Sequence, residues 1–98
     1  MKITKTVNGK ALTLAVDGRL DTVTAPELEA ELKASIGGMD TLTLDFSGLE
    51  YISSAGLRVL LSAHKQMAAA GGLTITHVNE IVSEVFEVTG FSDILNIQ

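Results

Sequence analysis

Apolar and polar residues alternate along two short stretches of the chain. Leu12, Leu14 and Val16 alternate with Thr13, Ala15 and Asp17. Leu42, Leu44 and Phe46 alternate with Thr41, Thr43 and Asp45. A period of two is that of a strand with one buried face. Residues 3–7 and 10–16 flank Asn8-Gly9, a dipeptide suited to a two-residue type I′ hairpin turn. Residues 73–77 and 94–97 read as two further strands. Between the strands the period lengthens. Leu28, Leu32 and Ile36 recur every four residues behind Thr24, Pro26 and Glu27, which predicts a helix with a capping box that stops at Gly37-Gly38. A second helix is predicted over 54–70, with Leu57, Leu60, Leu61, His64 and Ala68 inward and Gly71-Gly72 as its stop. A third follows Asn79, with Val82, Val85, Phe86 and Thr89 inward and Gly90 at its end.

The predicted order is β-β-α-β-α-β-α-β, an α/β class chain forming one domain over 1–98. Strands alternating with helices imply right-handed crossovers, hence a mixed, mostly parallel sheet of about five strands, with the N-terminal hairpin as its antiparallel pair. Alternating rather than solidly apolar strands place the helices mainly on one face.

Composition narrows the function classes. Hydrophobic residues make up 46% and aromatic ones only 4%, so the core is aliphatic. The net charge of −5 repels phosphate backbones and anionic lipid, which argues against nucleic acid and membrane insertion and favours a basic surface on a protein partner. There is no cysteine, which removes disulfides, thiolate metal sites and a Cys nucleophile. No segment reaches the roughly 18 consecutive apolar residues of a membrane span. A soluble, cytoplasmic, monomeric protein is expected.

Few residues offer catalytic chemistry. The two histidines are His64, on the inner side of a predicted helix, and His77, at a strand end; both read as structural. No His or carboxylate cluster has metal-ligand spacing, and the Gly-Gly pairs are helix stops rather than phosphate loops. Neither a metal nor a cofactor is expected, and no base–nucleophile pair marks an enzyme. One run is denser than the rest: Asp45-Phe46-Ser47-Gly48-Leu49-Glu50-Tyr51-Ile52-Ser53-Ser54-Ala55-Gly56-Leu57. It is a strand end, a loop and a helix N-terminus carrying two serines. Serine is a preferred N-cap, so capping alone accounts for the pair. The same free N–H groups and helix dipole also favour a phosphate. Gly56 reads either as room for a partner or as close packing against a strand.

This run resembles the signature of the STAS domain, the family of bacterial anti-sigma factor antagonists: acidic, apolar, serine, spacer, aromatic-apolar pair, then serines before a small residue, glycine and an apolar residue. Gly18-Arg19-Leu20-Asp21 is similar to the family's Gly-x-Leu-Asp segment, and the order of elements coincides over essentially the whole chain. The resemblance implies a protein–protein switch. An anti-sigma factor that is also a serine kinase binds the antagonist, releases sigma factor and phosphorylates the antagonist at the start of the second helix; a serine phosphatase reverses the modification. By position relative to Gly56 the acceptor is Ser54, with Ser53 as rival. Asp21, Asp45, Ser47, Ser53, Ala55 and Gly56 fall at the partner-binding positions. The chain departs from the family where many members carry Asp before the acceptor, here Ser53, and a second hydroxyl after it, here Ala55. The alternative within the family is an adaptor subunit of a stress-signalling or transporter complex with no phosphorylation cycle.

Overall fold

The computed structural model describes residues Met1–Gln98. Strands β1 (Lys2–Asn8) and β2 (Ala11–Leu20) form the hairpin, followed by helix α1 (Ala25–Ser35) and strand β3 (Thr41–Asp45). Next come β4 (Leu49–Ile52), α2 (Ser54–Met67), β5 (Leu73–Thr76) and α3 (Glu80–Thr89), then a 3-10 turn (Phe91–Asp93) and β6 (Asn96–Ile97). The sheet runs β1-β2-β3-β5-β6, with only the β1–β2 pair antiparallel and β4 joined to the end of β2. The chain is thus one α/β domain with a mixed, mostly parallel sheet. It has six strands, because β4 forms inside the segment read from sequence as a loop.

Strand β2 is long because it serves two neighbours. Its residues 11–15 pair with β3, and Gly18–Leu20 pair with β4 across a register shift at Gly18/Arg19. At φ +106 Gly18 occupies a conformation open to glycine, and its N–H donates to the Gly48 carbonyl (2.9 Å). The hairpin turn differs from expectation. Asn8 pairs with Ala11, so Gly9 and Lys10 are the central residues, and of the two only Gly9 has positive φ (63°). That is the pattern of a II′ turn, which asks for glycine at its first position alone.

All helices cover one face. Leu12, Leu14, Val16, Leu42, Leu44, Leu73 and Ile75 point into a core shared with Leu28 and Leu32 of α1, Leu60 and Ala63 of α2, and Val82 and Phe86 of α3. The other face carries a row of paired residues across the strands, Thr6–Thr13–Thr43–Thr74–Asn96, all at least partly exposed. Threonine suits such a surface, since its β-branch favours the strand and its hydroxyl stays wet.

Helix details correct the reading in three places. Thr24 builds no capping box: its hydroxyl donates to the Arg19 carbonyl (2.7 Å) and accepts from the Asp21 N–H (2.9 Å). Helix α2 ends at Met67 rather than residue 70, and its buried side is Gly56, Leu57, Val59, Leu60, Ala63 and Met67. Leu61 and His64 are half-buried and Ala68 exposed, so the inner stripe lies about one residue from the predicted one. In α3 Val82 and Phe86 are buried, Val85 is half-buried and Thr89 is exposed. The Asn79 cap is present: its Oδ1 accepts from the Val82 N–H and its Nδ2 donates to the Leu49 carbonyl, both at 2.8 Å. One side chain thereby starts α3 and ties it to β4.

Candidate functional site

Parallel strands deliver their C-terminal ends to one edge of the sheet, where ligand sites of open α/β sheets lie. Here that edge gathers the loops after β2, β3, β4 and β5. Leu20 pairs with Ile52, and the Ser53 N–H donates to the Leu20 carbonyl at 2.8 Å. Asp21, one residue on, therefore stands beside the start of α2.

Helix α2 begins without a side-chain cap. Ser53 is the N-cap residue, with extended backbone (φ −101, ψ 176), yet its hydroxyl bonds none of the helix N–H groups. Its Oγ is enclosed and meets no donor or acceptor. Ser54, at the first helical position, is exposed. The first helical hydrogen bond runs from the Leu57 N–H to the Ser53 carbonyl (3.0 Å), so the N–H groups of Ser54, Ala55 and Gly56 are the free ones every helix start leaves. The two serines differ: the Ser53 hydroxyl is enclosed, while Ser54 is an exposed residue at a helix start with three free N–H groups.

Gly56 is buried and packs downward. A Cβ there would lie 2.7 Å from Leu20 Cγ and 2.8 Å from Ile52 Cγ1, so α2 rests directly on the β2–β4 ladder. Of the residues assigned to partner contact, Gly56 thus acts from beneath, by letting the helix start sit close to the strands. Ala55 is half-buried above it.

The two aspartates are held by local bonds. Asp21 Oδ1 accepts from the Val23 and Thr24 N–H groups (3.0 and 3.1 Å), forming a tight turn. The Thr24 N–H does most to hold its carboxyl below the usual carboxylate range, against an opposing effect of desolvation, and the Val23 N–H, the Thr24 hydroxyl and Arg19 add to the lowering. Asp45 accepts from the Ser47 N–H at 3.0 Å, and this bond is the main cause of its lowered pKa; the Ser47 hydroxyl and His77 add to it. Ser47 is therefore placed by Asp45, through its backbone.

Two features were missed in the sequence. His77, in the left-handed region (φ 59), brings Nδ1 to 3.3 Å from Asp45 Oδ1 and 3.1 Å from Thr76 Oγ1. Only the β3–β5 register, Asp45 opposite Thr76, makes them neighbours. Arg19 lies over the Tyr51 ring, 4.6 Å from its centroid, because the two are paired across β2 and β4.

The lowered Asp45 pKa has a testable sign. A carboxyl with a depressed folded-state pKa stabilises the fold above its unfolded value, near 4, and loses that contribution as pH falls through the folded value. Asp45→Asn keeps an acceptor and removes the charge. Its stability deficit, within about 1 kcal/mol for a partly exposed group, should be constant above roughly pH 5 and fade as the pH falls through the lowered folded-state value. Urea melts across that range check it; a deficit that grows in acid contradicts the assignment.

The arrangement is a loop-and-helix surface with an exposed serine at the start of α2. The family model described as "Mlab, STAS domain" matches residues 3–96, and the chain belongs to the STAS domain family. It is 38% identical over 99 residues to BtrV of Bordetella bronchiseptica, assigned by name to the anti-sigma factor antagonists, an alignment covering 99% of this chain and 85% of BtrV. An anti-sigma factor antagonist from Mycobacterium paratuberculosis superposes with a TM-score of 0.89 at 22% identity, over 98% of this chain and 83% of that one. SpoIIAA from Bacillus superposes in its unphosphorylated form (TM-score 0.76, 17% identity, 99% and 87% covered) and in its phosphorylated form (0.75, 18%, 99% and 91%). No helix is long and apolar enough to cross a membrane.

Proposed function

We propose that this protein is an anti-sigma factor antagonist. It binds an anti-sigma factor that is a serine kinase, frees the sigma factor, and is switched off when that kinase phosphorylates Ser54; a serine phosphatase restores it. The relatives' names support the first part. The observation that carries the second is the contrast at the start of α2, where Ser54 is an exposed residue and the Ser53 hydroxyl is enclosed. A kinase must bring the γ-phosphate in line with the acceptor oxygen, which an enclosed Oγ does not permit. Asp21 and Ala55 flank the acceptor as contacts, while Asp45 and Ser47 shape the neighbouring loop.

The test is incubation with the cognate kinase and ATP, followed by mass mapping. Wild type and Ser53→Ala should take up phosphate at residue 54, and Ser54→Ala should take up none. Ser53→Ala should also fold at least as stably as wild type, because it removes a hydroxyl that has no partner. Phosphate on Ser53 in the Ser54→Ala variant overturns the assignment. No incorporation in any variant leaves the family's adaptor role instead.

A further inference from the structure

The outer side of α3 is unlike the rest of the surface. Ile81, Val85 and Val88 recur at i, i+4 and i+7; Ile81 is 60% exposed and Val88 79%. With Glu84 and Thr89 they line a shallow open groove of about 280 Å³. The helix's inward needs are met by Val82 and Phe86, with Val85 half-buried against the core at the floor of the stripe, so the exposed Ile81 and Val88 are left without a role in the core. Scattered exposed apolar residues are ordinary, whereas a helical stripe forming a groove matches how an amphipathic helix is received.

Charge states what fits there. Glu80, Glu84 and Glu87 repeat at the same i, i+4, i+7 spacing one position back, forming an exposed acidic ridge along the apolar one. None of the three is in an ion pair. All seven Lys and Arg residues lie at or before Lys65, so residues 66–98 carry Glu80, Glu84, Glu87 and Asp93 with no Lys or Arg. Two copies placed face to face would oppose acidic ridges, and anionic lipid or nucleic acid would be repelled.

We propose that the Ile81–Val85–Val88 groove docks an amphipathic helical segment of a protein partner whose apolar stripe is flanked by Lys or Arg. This surface lies on a different element from Ser54 and does not depend on phosphorylation.

The probe is a short synthetic helix-forming peptide with Leu at alternating third and fourth positions and Lys on both flanks. It is titrated into the isotope-labelled full chain and followed by amide shifts and calorimetry. Shifts centred on α3 are expected, with weaker binding of a scrambled peptide of equal composition. Val88→Glu adds negative charge yet removes an apolar anchor, and should weaken binding at least about tenfold; Glu84→Lys should weaken it too. Both positions are exposed, and an amide spectrum overlaying that of wild type verifies the fold of each variant. Ser54→Ala should bind the peptide as wild type does, so this result and the kinase reaction fail independently. Equal binding of the scrambled peptide, unchanged or tighter binding by Val88→Glu, or sedimentation showing a dimer that Val88→Glu dissolves would each overturn the proposal.

Discussion

Phosphorylation of Ser54 is expected to weaken anti-sigma factor binding by about a hundredfold, roughly 3 kcal/mol, while leaving the fold intact. The group adds roughly −1.5 to −2 charges at neutral pH. The isolated domain has a place for it: the free N–H groups of residues 54–56 and the positive end of the α2 dipole contribute about 0.3–1 kcal/mol, nearer 2 where partly buried. A docked partner must instead strip water from that charge beside Asp21, whose lowered pKa keeps it ionised. Ser54→Asp should show part of the loss, since it brings about one charge and a smaller group. Circular dichroism and calorimetric titration of both forms decide it. Equal affinities, or a fall in helical signal on phosphorylation, refute the mechanism.

Gly56→Val should be the most damaging single change near the site. Glycine in a helix interior ordinarily costs about 1 kcal/mol relative to alanine, so replacement would be favourable if space allowed. Space does not allow it: the first added carbon falls 2.7 Å from Leu20 and 2.8 Å from Ile52, both fully buried. Overpacking of this kind costs typically 1–3 kcal/mol, and the branched valine belongs at the upper end. A loss of about 3 kcal/mol in a domain of this size lowers Tm by roughly 12–24 °C. Gly37→Ala is the control, because nothing lies within 4 Å of its added carbon and its φ is ordinary. Thermal melts that place the two variants together would show that α2 does not rest on the strands as described. Gly56→Ala, milder, should shift Ser54 and slow its phosphorylation while the domain stays folded.

The elements legible in the sequence are those whose signal is local. Leu12-Leu14-Val16 and Leu42-Leu44 announce their strands by alternation, and Asn79 announces its helix by cap chemistry. What escaped was set by neighbours distant in sequence. Leu49-Glu50-Tyr51-Ile52 is too short to show a period, and it becomes a strand because Gly18–Leu20 offers a free ladder. Thr24 has the spacing of a cap but gives its hydroxyl to Arg19 because the β2–α1 turn brings that carbonyl nearer. The site divides similarly. Ser53 and Ser54 were visible as a pair, while their difference in exposure depends on how α2 lies on β4. The Asp45–His77 contact needs the β3–β5 register, which no local pattern encodes.

The bare face of the sheet bears on how far such a chain can drift. Its Thr6–Thr13–Thr43–Thr74–Asn96 row stays at least partly exposed, and exchanges at such surface positions usually alter stability by no more than about 0.5 kcal/mol. The fold constrains the inward residues by size and polarity, and a few points such as Gly56 by absolute lack of room. Much of the remaining sequence is free to be rewritten by neutral exchange, which is how a protein 22% identical to this one keeps a TM-score of 0.89. Packing alone therefore leaves the naked side of the sheet the most open to exchange and the ground under the helix start the least.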